Sequence, residues 1–390
     1  MAQSVSPQWL RSVDVRVADL DALLQPSVNL SDYPHASSID REVLLYDTEV
    51  VLSKLAEPDG ERVLRAELAH ALLAGPGIVV FVGAFPDVSV VDRATDVFRS
   101  LIDDQHAAGT AAGDHFAKPG ANDRVWNALE KLALCDPATF VDYYANEVIA
   151  LASLAWLGPS YQITSQVNVV NPGDQAQDAH CDYHLGFQSD EVVEQYPAHV
   201  HSLSAAMTLQ GAVAHTDMPV ASGPTMVLPH SQKYPLGYLA WRNPEVRDHF
   251  LLHQVQLALA KGDAMFFNPA ILHAAGSNHT TDVRRAANLL QVSSAFGRAM
   301  ESVDRRAMCA AVYPALSTAA GRLDPVQLRN AIAACAEGYA FPTNLDRDQP
   351  IGGLAPPSQA DLVRHGVADG WSAEQMAAEL ADHARRRRTS

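Results

Sequence analysis

The stretch Tyr161-Gln162-Ile163-Thr164-Ser165-Gln166-Val167-Asn168-Val169-Val170, closed by Asn171-Pro172-Gly173-Asp174, decides how the rest of the chain is read. Its β-branched residues suit a pleated, half-buried strand, and the Asn-Pro-Gly-Asp that follows is turn chemistry. The same grammar recurs from Ser202 to Ala214, ending in Ala221-Ser222-Gly223-Pro224, and again at Ala264 to Phe267 and Asn288 to Ser293. Short strands separated by Gly/Pro turns indicate an antiparallel sandwich or barrel. The expected fold is mainly β with helical flanks, built around a double-stranded β-helix, or jelly roll.

Upstream the texture is different. Leu64, Leu68, Ala71 and Leu72 recur at helical spacing and stop at Gly75-Pro76-Gly77, after which Ile78 to Val82 reads as a buried strand. Val91, Ala94, Phe98, Leu101 and Ile102 mark a second helix. Phe140, Tyr144, Val148, Leu151 and Leu154 mark one more, over Pro137 to Leu157. Residues 1–60 are polar and broken by Pro7, Pro26 and Pro34, and read as an irregular lead-in. Residues 61–300 then form the jelly-roll domain with its N-terminal helices, and residues 301–390 a helical C-terminal extension packed on the same domain. In that extension Ser372 and Gln375 match a capping box.

Composition removes several function classes. A formal net charge of −17 argues against nucleic acid, since phosphates repel an acidic chain that lacks a basic patch. The one dense basic run, Arg385 to Arg388, reads as a solvated tail. The longest apolar stretch, around Gly77 to Phe85, is too short to cross a bilayer, so no membrane partner is expected. Cys135, Cys181, Cys309 and Cys335 show no framework spacing, and MAQSVSPQWLRSVDVRVADL has no apolar signal core. A cytoplasmic location is expected.

Chemistry concentrates at His180-Cys181-Asp182. Residues two apart on a strand project from one face, so the imidazole and the carboxylate point at the same spot while Cys181 faces away. Two histidines and one carboxylate on one side of an octahedral iron leave open positions for a chelating cosubstrate and dioxygen. The missing ligand must come from a distant strand, and the apolar run Gly262 to Leu272 delivers His273. The tripeptide alone is weak evidence. With 16 histidines and 45 acidic residues it is expected by chance, and His215-Thr216-Asp217 repeats it.

The surrounding pattern strengthens the signal. Asn171-Pro172-Gly173 ahead of His180-Cys181-Asp182, then Gly223-Pro224-Thr225-Met226-Val227-Leu228-Pro229-His230-Ser231-Gln232-Lys233-Tyr234, then Gly262-Asp263 leading to His273-Ala274-Ala275-Gly276-Ser277-Asn278, resemble the phytanoyl-CoA dioxygenase family over roughly residues 65 to 295. The resemblance implies iron(II) on His180, Asp182 and His273, with 2-oxoglutarate and O2 as cosubstrates. It further implies that Arg284, eleven positions after His273, grips the far carboxylate of 2-oxoglutarate, with Arg285 as the substitute if the hairpin register differs by one. Arginine suits that role because its planar fork pairs bidentately with a carboxylate. The implied reaction is hydroxylation of an unactivated C–H bond of a small-molecule or lipid-like substrate, with release of succinate and CO2. Asp182 in the carboxylate position sets the chain apart from halogenating variants, which carry a small residue there.

Other residues are weaker candidates. Gln166 and Asn168 share one strand face and are candidates for the cosubstrate pocket, against an even alternative that they face solvent. His184, Lys118 and Trp126 are candidate substrate residues, although a structural hydrogen bond is the plainer role for His184. The lead-in and the C-terminal helices are candidate sources of specificity or of a homodimer contact. Two other classes compete. One is a zinc metallohydrolase using His180, Asp182 and His184, which leaves Arg284 unexplained. The other is a jelly-roll binding protein without turnover.

Overall fold

The computed structural model describes residues 8–110 and 122–389. Lys118 therefore lies outside the described residues. Eleven strands run in chain order: β1 (Ser38–Asp40), β2 (Val43–Asp47), β3 (Ile78–Val82), β4 (Asn122–Val125), β5 (Gln162–Val170), β6 (Thr208–Ala214), β7 (Thr225–Val227), β8 (Val255–Gln256), β9 (Ala264–Phe267), β10 (His273–Ala275) and β11 (Arg285–Ser293). Helices hold far more of the described chain than strands, so the expectation of a mainly β protein is corrected to a mixed, sheet-rich one.

The described chain divides into two compact units. The first runs through Pro86 and includes residues 122–124 and Asn168–Leu289. Its larger sheet has the order β1-β2-β3-β9-β6-β11-β5-β4, with β5 contributing residues 168–170 and β11 residues 285–289. A smaller sheet runs β10-β7-β8. The pair β2–β3 is parallel, whereas β3–β9 and β6–β9 are antiparallel. Alternation explains the core: Ile78 and Val80 of β3, Ala212 and Ala214 of β6, and Met265 and Phe267 of β9 all join one buried apolar cluster with Val227 and Ile271. Burying each large side chain of such a cluster contributes roughly 1.5–3 kcal/mol.

Two local expectations fail. Residues 1–60 contain the helices Val17–Leu24 and Thr48–Leu55 and the pair β1–β2, because Leu20, Val43, Leu44, Tyr46 and Val51 bury themselves despite the polar surroundings. The first part of Ser202 to Ala214 lies in the helix Ala198–Ala206, and only Thr208–Ala214 is strand. The helix Gly60–Leu73 forms as its spacing predicts, burying Leu64, Leu68, Ala71 and Leu72.

The second unit takes Asp87 to residue 110, Val125–Val167 and the chain from Leu290 onward. It is largely helical. Ser89–Ala107 buries Val91, Ala94, Phe98 and Ile102, as its periodicity predicts. The single helix expected over Pro137 to Leu157 is two, Pro137–Tyr144 and Glu147–Leu157. Asn146 separates them, its side-chain oxygen accepting from the N–H groups of Val148 and Ile149. The capping box on Ser372 and Gln375 opens the last helix, Ala373–Arg386. The basic run at its end is only in part a solvated tail: Arg385 and Arg388 are exposed, Arg386 and Arg387 half-buried. Arg385 and Arg386 pair with Asp382, Arg386 also meets Asp348 at 3.2 Å, and Arg387 donates to the carbonyls of Ala340 and Pro342. No helix among the described residues is long and apolar enough to cross a membrane.

Candidate metal centre

Strand β10 pairs with β7 in the register His273↔Val227. On its other side the chain at His180 runs antiparallel to it, His180 N–H donating to His273 O at 2.9 Å and His273 N–H returning to His180 O at 3.1 Å. The expected strand at His180-Cys181-Asp182 is thus only an isolated bridge, with Asp182 N–H reaching Pro269 O at 3.2 Å. It still separates the side chains as a strand would. Cys181 points away into an apolar cluster with Leu185, Leu228 and Tyr238, its thiol 3.3 Å from Ala270 O. Burial pushes that thiol up from its usual range, as does the neighbouring Asp182 charge.

His180, Asp182 and His273 converge, with one possible ligand atom from each lying within 4.8 Å of the others. His180 Nε2 is 3.7 Å from Asp182 Oδ1, and His273 Nε2 is 3.4 Å from Asp182 Oδ2. The tautomers are legible. His180 Nδ1 lies 2.8 Å from Asp178 O and His273 Nδ1 3.0 Å from Ile271 O. A carbonyl only accepts, so each Nδ1 carries a proton and each Nε2 is turned to the shared spot. Gln210 Nε2 donates to Asp182 Oδ2 and fixes the carboxylate plane. Burial by itself would push the Asp182 carboxyl up. The two imidazoles beside it and the hydrogen bond donated by Gln210 outweigh burial and hold the carboxyl well below the usual range. A carboxylate kept ionised between two imidazoles is a place for a cation, and this donor set fits iron(II) with one side left open.

After Asp182 the chain turns sharply. Tyr183 and His184 have φ of 64° and 40°, a left-handed pair that side chains rarely adopt, and Gly186 N–H closes the turn on Tyr183 O at 2.8 Å. A Cβ on Gly186 would lie 2.0 Å from Cys181 O, so only glycine fits. His184 heads the short 3-10 turn His184–Phe187 and is not part of the three-residue cluster. A zinc site on His180, Asp182 and His184 therefore lacks its geometry.

The two arginines separate cleanly. Arg284 is 60% exposed and bound to Asp123 at 3.0 Å and Asn171 at 3.1 Å. Arg285, the first residue of β11, is 6% exposed. Ala287 and Leu289, two and four positions on, pack on the apolar cluster of the sheet, so alternation places Arg285 on that inward face. Burial pulls its guanidinium down to about 10, with the Asp174 charge opposing. Gln166 and Asn168 are both buried, correcting the solvent-facing alternative; Gln166 donates to Gln291 at 3.3 Å, and Asn168 Oδ1 has no hydrogen-bond partner. Trp126 belongs to the second unit, half-buried at the turn after β4. Gln210 was missed in the sequence. Its signal was a lone amide inside the apolar strand Thr208–Ala214.

The glycine motifs have structural uses. Gly223 (φ 71°) lies so close to the Gly276 backbone that a Cβ would meet Gly276 O at 2.3 Å. Asp263 accepts from the N–H groups of Gly83 and Ala260, and burial raises its carboxyl.

A family model described as phytanoyl-CoA dioxygenase matches residues 62–286, more than half of the chain. No curated protein sequence matches it. Among solved structures, the chain is similar to the non-haem α-ketoglutarate-dependent epimerase SnoN from nogalamycin biosynthesis, at 19% identity and a TM-score of 0.41, over 61% of this chain and 82% of that one. SnoN in complex with Fe3+, α-ketoglutarate and nogalamycin RO gives 18% and 0.42, over 61% and 85%. The α-ketoglutarate-dependent carbocyclase SnoK of the same biosynthesis gives 17% and 0.40, over 58% and 83%.

Proposed function

The chain belongs to the phytanoyl-CoA dioxygenase family, enzymes that work with iron, 2-oxoglutarate and O2, and from that premise we propose that it hydroxylates an unactivated C–H bond of a small-molecule or lipid-like substrate, releasing succinate and CO2. The observation that carries this reading is the convergence of His180, Asp182 and His273 on one spot. Iron and 2-oxoglutarate, when bound, supply the oxidising chemistry. The chain's own part is to present His180 Nε2, His273 Nε2 and the Asp182 carboxylate to the metal. The carbonyls of Asp178 and Ile271 hold the imidazoles in the ligating tautomer, and Gln210 holds the carboxylate.

For the far carboxylate of 2-oxoglutarate we assign Arg285 in place of Arg284. A buried guanidinium on the inward face needs an anion, whereas Arg284 is already satisfied at the surface by Asp123 and Asn171. Asn168, with its unpartnered buried oxygen, is a further candidate to meet the ligand. We read the order β5-β11-β6-β9 facing the His180 arm with β10-β7-β8 as the two layers of a double-stranded β-helix, with the metal at one mouth.

The test is direct. Purified chain given iron(II), 2-oxoglutarate and oxygen should form succinate even without its prime substrate, slowly, and faster with it. A hydrolase or an inert scaffold would form none, and that result would end this reading.

A further inference from the structure

We propose that Glu42, His230 and Lys233 form a carboxylate–imidazole–amine triad that makes Lys233 a nucleophile, and that an acyl thioester acylates the chain there. All three residues belong to the first unit. Lys233 closes the short 3-10 turn Ser231–Lys233, and its Nζ lies 2.8 Å from His230 Nδ1. An ammonium can only donate, so Nδ1 accepts and the imidazole proton sits on Nε2. That Nε2 faces Glu42 Oε2 at 3.9 Å. The spacing is too long for a hydrogen bond to the neutral ring, but it places a carboxylate beside the imidazolium that forms when the ring takes a proton. Two contacts fix the arrangement. Val28 N–H donates to the same Glu42 oxygen at 2.6 Å. His230 is held left-handed at φ 71°, its N–H donating to Pro76 O at 2.9 Å.

Lys233 differs from an ordinary lysine in its partners. No carboxylate among the described residues pairs with it, whereas Lys54 meets Glu57 at 2.7 Å. Burial pulls its ammonium down from the usual value, which favours the neutral amine. Burial and the Lys233 charge also lower His230 against the pull of Glu42, so the ring is an unprotonated base at neutral pH. A nucleophile, a base touching it and a carboxylate behind the base are the parts of nucleophilic catalysis. The three residues supply no acid for a leaving group. They therefore suit a carbonyl whose leaving group departs as a stable anion, and a thiol, with a pKa of about 8.5, provides one. The neutral amine attacks the thioester carbonyl, a C–N bond forms and the C–S bond breaks. The proton lost from Nζ goes to His230 Nδ1 and from there to the departing thiolate, leaving an amide and a free thiol.

The triad makes no use of the metal centre, so its test is independent of the proposed oxidation. The full chain is incubated with a simple acetyl thioester, and acetylation at each lysine is followed by peptide mass spectrometry. Lys54, Lys131 and Lys261 are half-buried like Lys233, so they serve as internal controls for exposure and for an intact fold. Lys233 should be acetylated at least tenfold faster than these three. His230→Asn keeps a residue that tolerates the left-handed backbone and removes the base. It should bring Lys233 to within threefold of the controls, whose own rates stay unchanged. Glu42→Gln, which can still accept from Val28 N–H, should slow Lys233 threefold or more. A wild-type Lys233 no faster than the controls would overturn the proposal, and so would a lead that survives either substitution.

Discussion

His180-Cys181-Asp182 and His215-Thr216-Asp217 have the same spacing and opposite fates. The first lies as an extended arm beside β10, which brings His273 across to it. The second follows β6 and is consumed by backbone bonds. His215 N–H donates to Ala286 O at 2.9 Å, Thr216 Oγ1 accepts from Ala286 N–H at 3.1 Å, and Asp217 Oδ1 accepts from Lys261 N–H at 2.9 Å. His215 and Asp217 join no metal cluster among the described residues. A two-residue spacing thus sets two side chains on one face, but a metal site also needs a third donor delivered by another strand. It needs carboxylate oxygens not already spent on a turn as well.

The comparison predicts its largest difference in metal binding. His180→Ala should lose iron and turnover together, measured by iron stoichiometry and succinate formation, whereas His215→Ala should keep its iron and at least part of its activity. If His215→Ala empties the site and His180→Ala does not, the ligand assignment falls while the family membership stands.

The arginine pair sharpens the same lesson one step further along. Arg285→Leu removes one partner of a buried charge pair, worth on the order of 2–5 kcal/mol, so the apparent KM for 2-oxoglutarate should rise tenfold or more at unchanged iron content. Arg284→Leu breaks an exposed pair with Asp123 and should shift that KM less than threefold. The reverse pattern in 2-oxoglutarate saturation curves would return the role to Arg284.

The smallest effect belongs to Asp217. Asp217→Ala removes one hydrogen bond to the Lys261 backbone and should cost about 0.5–1.5 kcal/mol in denaturant unfolding, with succinate formation unchanged. A loss of iron in this variant would mean that the second tripeptide is not merely a turn.

Much of the site was legible because ligand chemistry is written in residue types. Imidazole, carboxylate and the Gly-Asp approach to His273 have few substitutes, and their spacing survives folding. Which of the two arginines turns inward was not legible. Counting from His273 reached Arg284, but Arg285 opens β11 with its side chain on the inner face, and a shift of one residue exchanges the faces of a strand. Gln210 was hidden for a related reason. Its role depends on the Oδ2 of Asp182, 28 positions away, and nothing near it in the chain announces that partner.

By itself the sequence determined the elements whose signal is local: the helix Gly60–Leu73 from its apolar stripe, β3 from five consecutive apolar residues, the start of Ala373–Arg386 from its capping box, and the three candidate donors that the structure brings together. Tertiary structure decided what depends on distant partners. It drew residues before 60 into helix and strand by burying Leu20, Val43 and Tyr46. It split the helix at Asn146, tied the terminal arginines to Asp348, Asp382 and two carbonyls, and chose which arginine turns inward. The physical reason is the range of the forces involved. Periodicity and capping act over three or four residues along the chain. Burial, ion pairing and strand facing are settled only when segments far apart in sequence lie side by side.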